Sequence, residues 1–530
     1  MEKGNEIKVS KHCCSARDVL WYLVFVGFAV NYMIRINLNI AIVAMVQPRP
    51  KDNVSISSEC IIDAPTSSLL LNKSDTGSTI FNTSDHEPLT NQSAVVRAGN
   101  FSENKDAKFD WNEKVQGYVL GSFFWLHWVT QVPGGILAGK YGTKLVFGLS
   151  NFGGVVLCFA IPYCAWLGHT SLILLRLVQG LICGFAWPSM HNLTARWIPP
   201  NERSKFVTAY LGSSVGTALT YPVCGFIIDR WGWEYVFYVS SFFGTVWFVA
   251  WWMLVYDSPG QHPRISKNER DYILASLGES VAKTQSSVPW SNIFKSRTVW
   301  MNILTQFGGL WGLFTLMTHA PTYFKFIHGW NIKATGLLSG MPHMFRMLWA
   351  YAFSLIGDYL LRTNKMNRTN VRKLATGFCC VGQGVFMLGL AYSGCNSLAA
   401  IIFLTLAVAV HGSVSTGPLA SVVDISPNYA SVILGLMNTS AAIVGFITPA
   451  LVGYLTFQNQ TAHQWQRVFW VATFFLVVSG LGFALFAKSE LKSWNTPLKN
   501  TGPPETELMI IHAKTEAKDE GKATNGTQNS

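Results

Sequence analysis

The sequence predicts an all-α polytopic membrane protein with twelve transmembrane helices in two six-helix bundles. Three observations predict it. Hydrophobic residues make up 49% of the 530-residue chain and charged residues only 13%, about half the share usual in a soluble globular protein. Twelve apolar runs are each long enough to cross a bilayer. Of two long polar stretches, 47–114 follows the first run and 257–298 divides the runs six and six.

The runs fall at 19–46, 115–138, 145–167, 171–195, 205–228, 234–256, 299–324, 335–360, 373–393, 397–423, 430–456 and 467–487. We refer to them as the first to twelfth spans. Residues 1–18 form a polar, basic N-terminus without the short apolar core of a secretory signal peptide. The N-terminal bundle covers 19–256, including a polar loop at 47–114. A charged linker follows at 257–298, then the C-terminal bundle at 299–487. Residues 488–530 have little apolar content and are expected to be a disordered tail.

The net charge of +12 could point to nucleic acid, but the basic residues form no single patch. They sit in short loops: Lys140 and Lys144; Arg196, Arg203 and Lys205; Arg362, Lys365, Arg368, Arg372 and Lys373. Loops on the other side are poor in them, so the basic side reads as cytoplasmic, with both termini and the linker inside. The lipid bilayer is therefore the expected partner, with no nucleic acid, and the chain is expected to be a monomer. Loop 47–114 then faces outside or a lumen. It carries five Asn-x-Ser/Thr sequons, at Asn53, Asn72, Asn82, Asn91 and Asn100. Enzymatic deglycosylation is expected to raise gel mobility, and replacing the five asparagines to remove most of that shift. Cys60 and Cys395 both fall in segments placed outside, which leaves a disulfide open. No cysteine spacing resembles a zinc site, and no metal or cofactor is expected.

The two halves echo one another. The fifth span carries Pro222 and Gly225 after Pro199, and the eleventh carries Pro449 and Gly453 after Pro427. Gly-Gly-Ile-Leu-Ala-Gly-Lys-Tyr-Gly-Thr-Lys (134–144) follows the second span, and Gly-Asp-Tyr-Leu-Leu-Arg (357–362) closes the eighth. Such echoes fit a transporter built from repeated bundles.

Segment 134–144 resembles the cytoplasmic loop motif of the major facilitator superfamily, with Gly139 where an aspartate is usual; the second-half copy keeps Asp358. More specific phrases are Arg-Ile-Asn-Leu-Asn-Ile-Ala-Ile-Val-Ala-Met-Val (35–46), Thr-Gln-Val-Pro-Gly-Gly (130–135), Trp-Ile-Pro-Pro-Asn-Glu-Arg-Ser (197–204) and Asp-Ile-Ser-Pro-Asn-Tyr-Ala (424–430). Together they resemble the anion/cation symporter family of sialin, the vesicular glutamate transporters and sodium/phosphate cotransporter-like proteins. The sequon-rich first loop is most similar to insect inorganic phosphate cotransporters. The resemblance implies the major facilitator fold and secondary transport in the plasma membrane or a lysosomal or vesicular membrane.

Ionisable groups inside a bilayer are costly and usually face a cavity. Arg35 lies deep in the first span, Arg176 near the outer end of the fourth and Arg346 near the middle of the eighth; these are the substrate-binding candidates. Snorkelling or pairing with a carbonyl is the competing reading for each. The resemblance adds that relatives have a substrate-linked arginine matching Arg176. It also subtracts: Cys183 stands where relatives carry a proton-coupling glutamate. Gly309 and Leu120 replace an arginine and a histidine of the glutamate transporters. His127, at the depth in the second span that Arg346 has in the eighth, and His191 are the coupling candidates. His319, His343 and His411 read as satisfied packing histidines. No aspartate or glutamate lies deep in an apolar run, so the expected cavity is positive and suits a small anion such as phosphate or a carboxylate. Sodium is the co-transported cation expected, on neutral oxygens such as Asn31, Asn39, Asn438 or Ser440, with a proton as the alternative. No nucleophile paired with a base stands out, so no catalytic residue and no enzyme is expected; a non-transporting receptor of the same fold is the alternative from another class.

Overall fold

A computed structural model of the chain describes residues 15–46, 60, 109–199, 206, 208–277, 288–427 and 429–495. Among these, no β-strand forms beyond a single bridge between Val46 and Phe109. The five sequons, the tail from 496 on and most of loop 47–114 lie outside the described residues.

Helices occupy all twelve predicted places. The first, Ala16–Met45, starts on a capping box in which Ser15 and Asp18 satisfy each other's backbone amides. Asn112, Asn331, Asn396 and Thr461 cap the starts of the second, eighth, tenth and twelfth spans in the same way, by accepting from an amide three residues on. Five spans are interrupted. The second splits into Glu113–Trp125 and Gln131–Tyr141. The third bends by 46° between Thr143–Phe159 and Ile161–Leu167. The fourth is His169–Cys183 plus Ala186–Trp197. The ninth runs Arg368–Thr376 and Gln383–Ala391 through a wide π-type turn at Gly377–Gly382. The tenth runs Ser397–Val410 and Pro418–Ile425 through a tight turn at His411–Ser415. The fifth (Gly212–Trp231), sixth (Glu234–Leu254), seventh (Arg297–Phe326), eighth (Ile332–Arg362), eleventh (Ala430–Leu455) and twelfth (Ala462–Phe486) are continuous.

Eight of these helices are long and apolar enough to cross a membrane by length and composition, and nine if the bent third span counts as one. The second, seventh and eighth are not among them. The reason is physical. The seventh and eighth carry Thr305, Gln306, Thr318, His319, Thr335, Ser339 and His343, all buried. A helix wrapped by other helices need not be apolar all round, because its polar groups meet protein instead of lipid.

The halves meet along two seams, the second span against the eleventh and the fifth against the eighth. Both seams close toward the end that carries Val46 and Glu113, here the loop end. Gly117 rests on the Pro449 carbonyl, where a Cβ would collide. A Cβ on Gly336 would stand 2.5 Å from the Tyr221 carbonyl oxygen. The Tyr221 hydroxyl donates to the Met317 carbonyl, Lys333 pairs with Asp229 at 2.7 Å, and the Gln458 amide donates to Glu113 at 3.1 Å. A disulfide joins Cys60 to Cys395 between the ninth and tenth spans, which resolves the pairing that the sequence left open.

At the opposite end the linker helix Lys267–Leu277 docks on the start of the first span. Glu269 accepts from the amides of Ala16 and Arg17 at 3.1 and 3.2 Å and from the Arg17 side chain. Segment 489–495 packs here too: the Ser489 amide donates to Thr369 and Ser426 to Asn495. Both ends of the described chain therefore sit at this linker end.

Candidate anion site

Arg35 is buried, with 8% of its surface exposed. Its guanidinium carbon stands 5.1 Å from the ring centre of Tyr32, 5.7 Å from Phe123, 4.4 Å from Phe124 and 5.4 Å from Phe314. Three of these rings belong to the N-terminal half and Phe314 to the C-terminal half, so the cage sits on the boundary between halves. Each such contact is worth about 0.5–2 kcal/mol, depending on desolvation. Rings hold the charge without using up its hydrogen bonds. The Arg35 Nε has no partner among the described residues.

Arg176 is buried differently. Its Nη1 donates to the Ile34 carbonyl at 3.3 Å and to Gln179 Oε1 at 2.7 Å, and its Nη2 donates to the Arg35 carbonyl at 3.0 Å. Gln179 in turn donates to the Gly154 carbonyl at 2.8 Å. Leu172, Arg176, Gln179, Gly180 and Cys183 make one buried face of their helix, at the i, i+3, i+4 spacing that brings residues to one side. The task this geometry gives Arg176 is to fix the first span where Arg35 emerges. Cys183, on the same face, is a buried thiol against the Ser150 carbonyl.

His127 falls in the turn between the two helices of the second span. Its Nδ1 lies 3.0 Å from the Gly180 carbonyl, so that nitrogen donates; its Nε2, 3.0 Å from Gln131 Nε2, accepts. Both nitrogens are engaged in one neutral tautomer, so protonation at Nε2 would require the Gln131 amide to turn its oxygen toward the ring. His191 lies on Ala186–Trp197, in the linker-side half of the fourth span, and its side chain is outside the description.

Arg346 comes from the eighth span and donates from Nη1 to the Ser214 hydroxyl of the fifth at 3.2 Å, across the second seam. Its Nε has no partner among the described residues. Tyr32 of the first span lies within electrostatic reach of both Arg35 and Arg346, one from each half. Glu269 in the linker is the one fully buried carboxylate among the described residues. Asp229 and Asp358 are exposed at span ends, and Asp424 is paired with Arg372 at 2.7 Å. Among the described residues, no carboxylate is thus buried within the spans that carry the two arginines.

The reading of the remaining histidines needs correction. His411 is 1% exposed, and neither of its ring nitrogens has a partner among the described residues. His343 Nδ1 and His319 Nε2 are likewise unpartnered. They are buried but not satisfied. No spacing signal in the sequence marks them; only packing against Arg346 distinguishes His343 and His411. Three of the four neutral residues suggested for sodium have hydrogen-bond partners nearby. Asn31 donates to Asn151, Asn39 to Tyr221, and Ser440 to the Met437 carbonyl. A cavity of about 470 Å³ lies between the eighth and tenth spans and is lined by residues such as Met341, Phe345, Leu348 and Ile402, none of them charged, so it offers an anion no partner.

Comparison with known proteins agrees with this frame. The model of the Major Facilitator Superfamily matches residues 24–449. Sialin from Homo sapiens is 35% identical over 483 residues, covering 91% of each chain. A "Putative inorganic phosphate cotransporter" from Drosophila melanogaster is 30% identical over 512 residues, covering 94% of this chain and 90% of that one. Among solved structures, a bacterial homolog of the human lysosomal transporter Spinster superposes with a TM-score of 0.61 at 11% identity, covering 92% of this chain and 100% of that one. That last likeness speaks for the fold alone.

Proposed function

Because the chain belongs to the Major Facilitator Superfamily, in the branch of sialin and the inorganic phosphate cotransporters, and is thus a membrane transporter and not an enzyme, we propose that it carries a small anion by alternating access. The observation that carries the cargo's sign is that Arg35 and Arg346, buried or half-buried on opposite halves, both lie within electrostatic reach of Tyr32, with no buried carboxylate on these spans among the described residues. An anion between them would join the halves. Its release would let them part, as rocking-bundle transport requires. Arginine's planar fork favours phosphate or carboxylate, so inorganic phosphate or a small organic anion is the substrate class. The names of the two relatives point to the same two kinds of cargo.

In this reading all twelve helices cross the bilayer and the two halves form the two bundles. The loop end faces outside or an organelle lumen, and the linker end is cytoplasmic. The structure is then the form shut toward the outside. The charge rule, the clustered sequons and the disulfide at the loop end all support that orientation.

An inside-negative potential opposes anion entry by about 2.3 kcal/mol per charge at 100 mV, so a cation must accompany the anion for uptake. Sodium on neutral oxygens is one carrier and a proton on a buried histidine the other. The unpartnered ring nitrogens of His411 favour the proton. The purified chain in liposomes should accumulate labelled phosphate, N-acetylneuraminate or glutamate when a pH gradient is imposed without sodium. Accumulation that follows a sodium gradient at fixed pH and ignores the pH gradient selects sodium instead. Failure to move any of the three anions under either gradient removes the anion reading.

A further inference from the structure

Resting on that anion reading, we propose that His411, assisted by His343, is the proton-binding group of the site: it is neutral when the site is empty and takes up a proton as the anion arrives beside Arg346.

The argument starts from what a buried imidazole needs. In its neutral form one ring nitrogen donates and the other accepts. A buried donor or acceptor left unmade costs about 1–3 kcal/mol, so two on one ring require a reason. His411 sits where the tenth span breaks from α-helix into the tight turn His411–Ser415. The break is held from two sides. Cys379 Sγ meets the His411 carbonyl at 3.7 Å, and the Trp349 indole donates to the Ser413 hydroxyl at 2.8 Å. The backbone is thus fixed while the ring is left unengaged. Its Nε2 faces the flank of Gly309 in the seventh span, where an added Cβ would lie 3.6 Å from it, in ordinary contact. The glycine leaves room beside this nitrogen.

Every element around His411 can be examined for charge. The eighth span brings Arg346 and His343, both within electrostatic reach of His411. The ninth brings the thiols of Cys379 and Cys380, and the seventh brings the bare backbone of Gly309. The fifth brings Tyr221, whose ring stacks on His343 at 6.3 Å between centres. The first brings Tyr32 near Arg346. Farther along the tenth span, Asp424 is already committed to Arg372. The neighbourhood therefore has one fixed cation, two imidazoles and no free carboxylate among the described residues. With the site empty, the Arg346 charge opposes a second positive charge on His411. An anion that pairs with Arg346 cancels that field and adds its own attraction, which favours protonation. The proton adds to the imidazole nitrogen lone pair; no covalent bond of the anion changes and no electrons are exchanged.

A route to this ring exists on the eighth span. Thr335, Ser339, His343 and Arg346 follow at four-, four- and three-residue steps, which places them on one helix face. Each carries an unpartnered polar atom: Thr335 Oγ1, Ser339 Oγ, His343 Nδ1 and Arg346 Nε. The stripe runs from the loop end to Arg346. Groups that are wetted when that end opens would be left in this state when it shuts.

The test measures proton uptake on anion binding. The full chain in detergent, weakly buffered between pH 6.5 and 7.5 with a pH indicator, is given phosphate, N-acetylneuraminate or glutamate; the last two keep their charge over this range. Anion binding is read in parallel as a rise in melting temperature. Binding of N-acetylneuraminate or glutamate, or of phosphate after its own buffering is subtracted, should withdraw up to about one proton per chain. His411→Gln and His411→Asn should each bind the anion more weakly and lose most of the proton uptake, while His127→Gln keeps it. Proton uptake that persists in both His411 variants, or wild-type binding without proton uptake, overturns this assignment and leaves the anion reading standing. A wild-type chain that binds none of the three anions overturns both.

Discussion

Replacing Arg35 by glutamine is expected to cut anion uptake by about 30-fold to several thousand-fold, with membrane abundance close to wild type. The range corresponds to about 2–5 kcal/mol, the usual cost of removing one partner of a desolvated charge pair. Abundance should hold because the guanidinium is kept by rings and not by backbone carbonyls, so its loss strands no buried acceptor. Lysine should restore only part of the uptake. It keeps the charge but lacks the planar fork and stacks less well on rings. Arg176→Gln makes the informative comparison. That change leaves the buried Gln179 Oε1 without its donor, at about 1–3 kcal/mol, and removes the second bonds to the Ile34 and Arg35 carbonyls, so protein level should fall along with transport. The checks are uptake by purified chain in liposomes and surface abundance by immunoblot. Near-normal uptake by Arg35→Gln would remove Arg35 from the anion site.

The second large effect is expected at the seam. Gly117→Val places a side chain against the Pro449 carbonyl, a backbone atom that cannot swing aside. Overpacking of this kind costs about 1–3 kcal/mol, which changes the closed-to-open ratio at the loop end by about 5- to 150-fold. Transport should fall because the shut form is one of the two states the cycle needs. Gly435→Ala, on the same eleventh span, is the control; nothing lies within 4 Å of its added Cβ. Spin labels at Tyr118 and Tyr454, exposed on the second and eleventh spans, should report a longer distance in Gly117→Val and an unchanged one in Gly435→Ala. An unchanged distance with normal uptake in Gly117→Val would mean that the seam does not work as a gate.

Those seams also show what the sequence reveals and what it hides. Pro222, Gly225, Pro449 and Gly453 are legible as a repeat, and in the structure all four lie on the two seams, one set in each half. The repeat is visible because close backbone approach demands particular residue types wherever it occurs. The twelve runs are legible because lipid demands length and apolarity. The interruptions are less so: the break at 126–130 depends on how neighbouring helices pack and no turn residue announces it, while Gly377 and Gly382 bracket the other without fixing its wide turn. The site is half legible. Arg35 and Arg346 stand out because a charge in an apolar run is conspicuous. The different tasks of Arg35 and Arg176 do not, since both are arginines among leucines and isoleucines, and only their partners separate rings from carbonyls. His343 and His411 look like any core histidine until an unpartnered nitrogen is placed beside a guanidinium. Cys60 and Cys395 are too far apart in sequence for spacing to pair them.

That last distance has a consequence for how the molecule is made. Cys60 leaves the ribosome 335 residues ahead of its partner. At about 5–20 residues per second, it waits roughly 20–70 s before Cys395 is even synthesised. In the orientation proposed above, the first loop for that interval carries a lone thiol in an oxidising compartment, exposed to mispairing with other chains. In that orientation the bond can form only after nine spans have been inserted and the turn before the tenth has been delivered to the same side. Its formation is thus a late checkpoint in biogenesis. A chain that has mis-threaded any one crossing between the two cysteines presents them to opposite faces of the membrane and cannot close the bond.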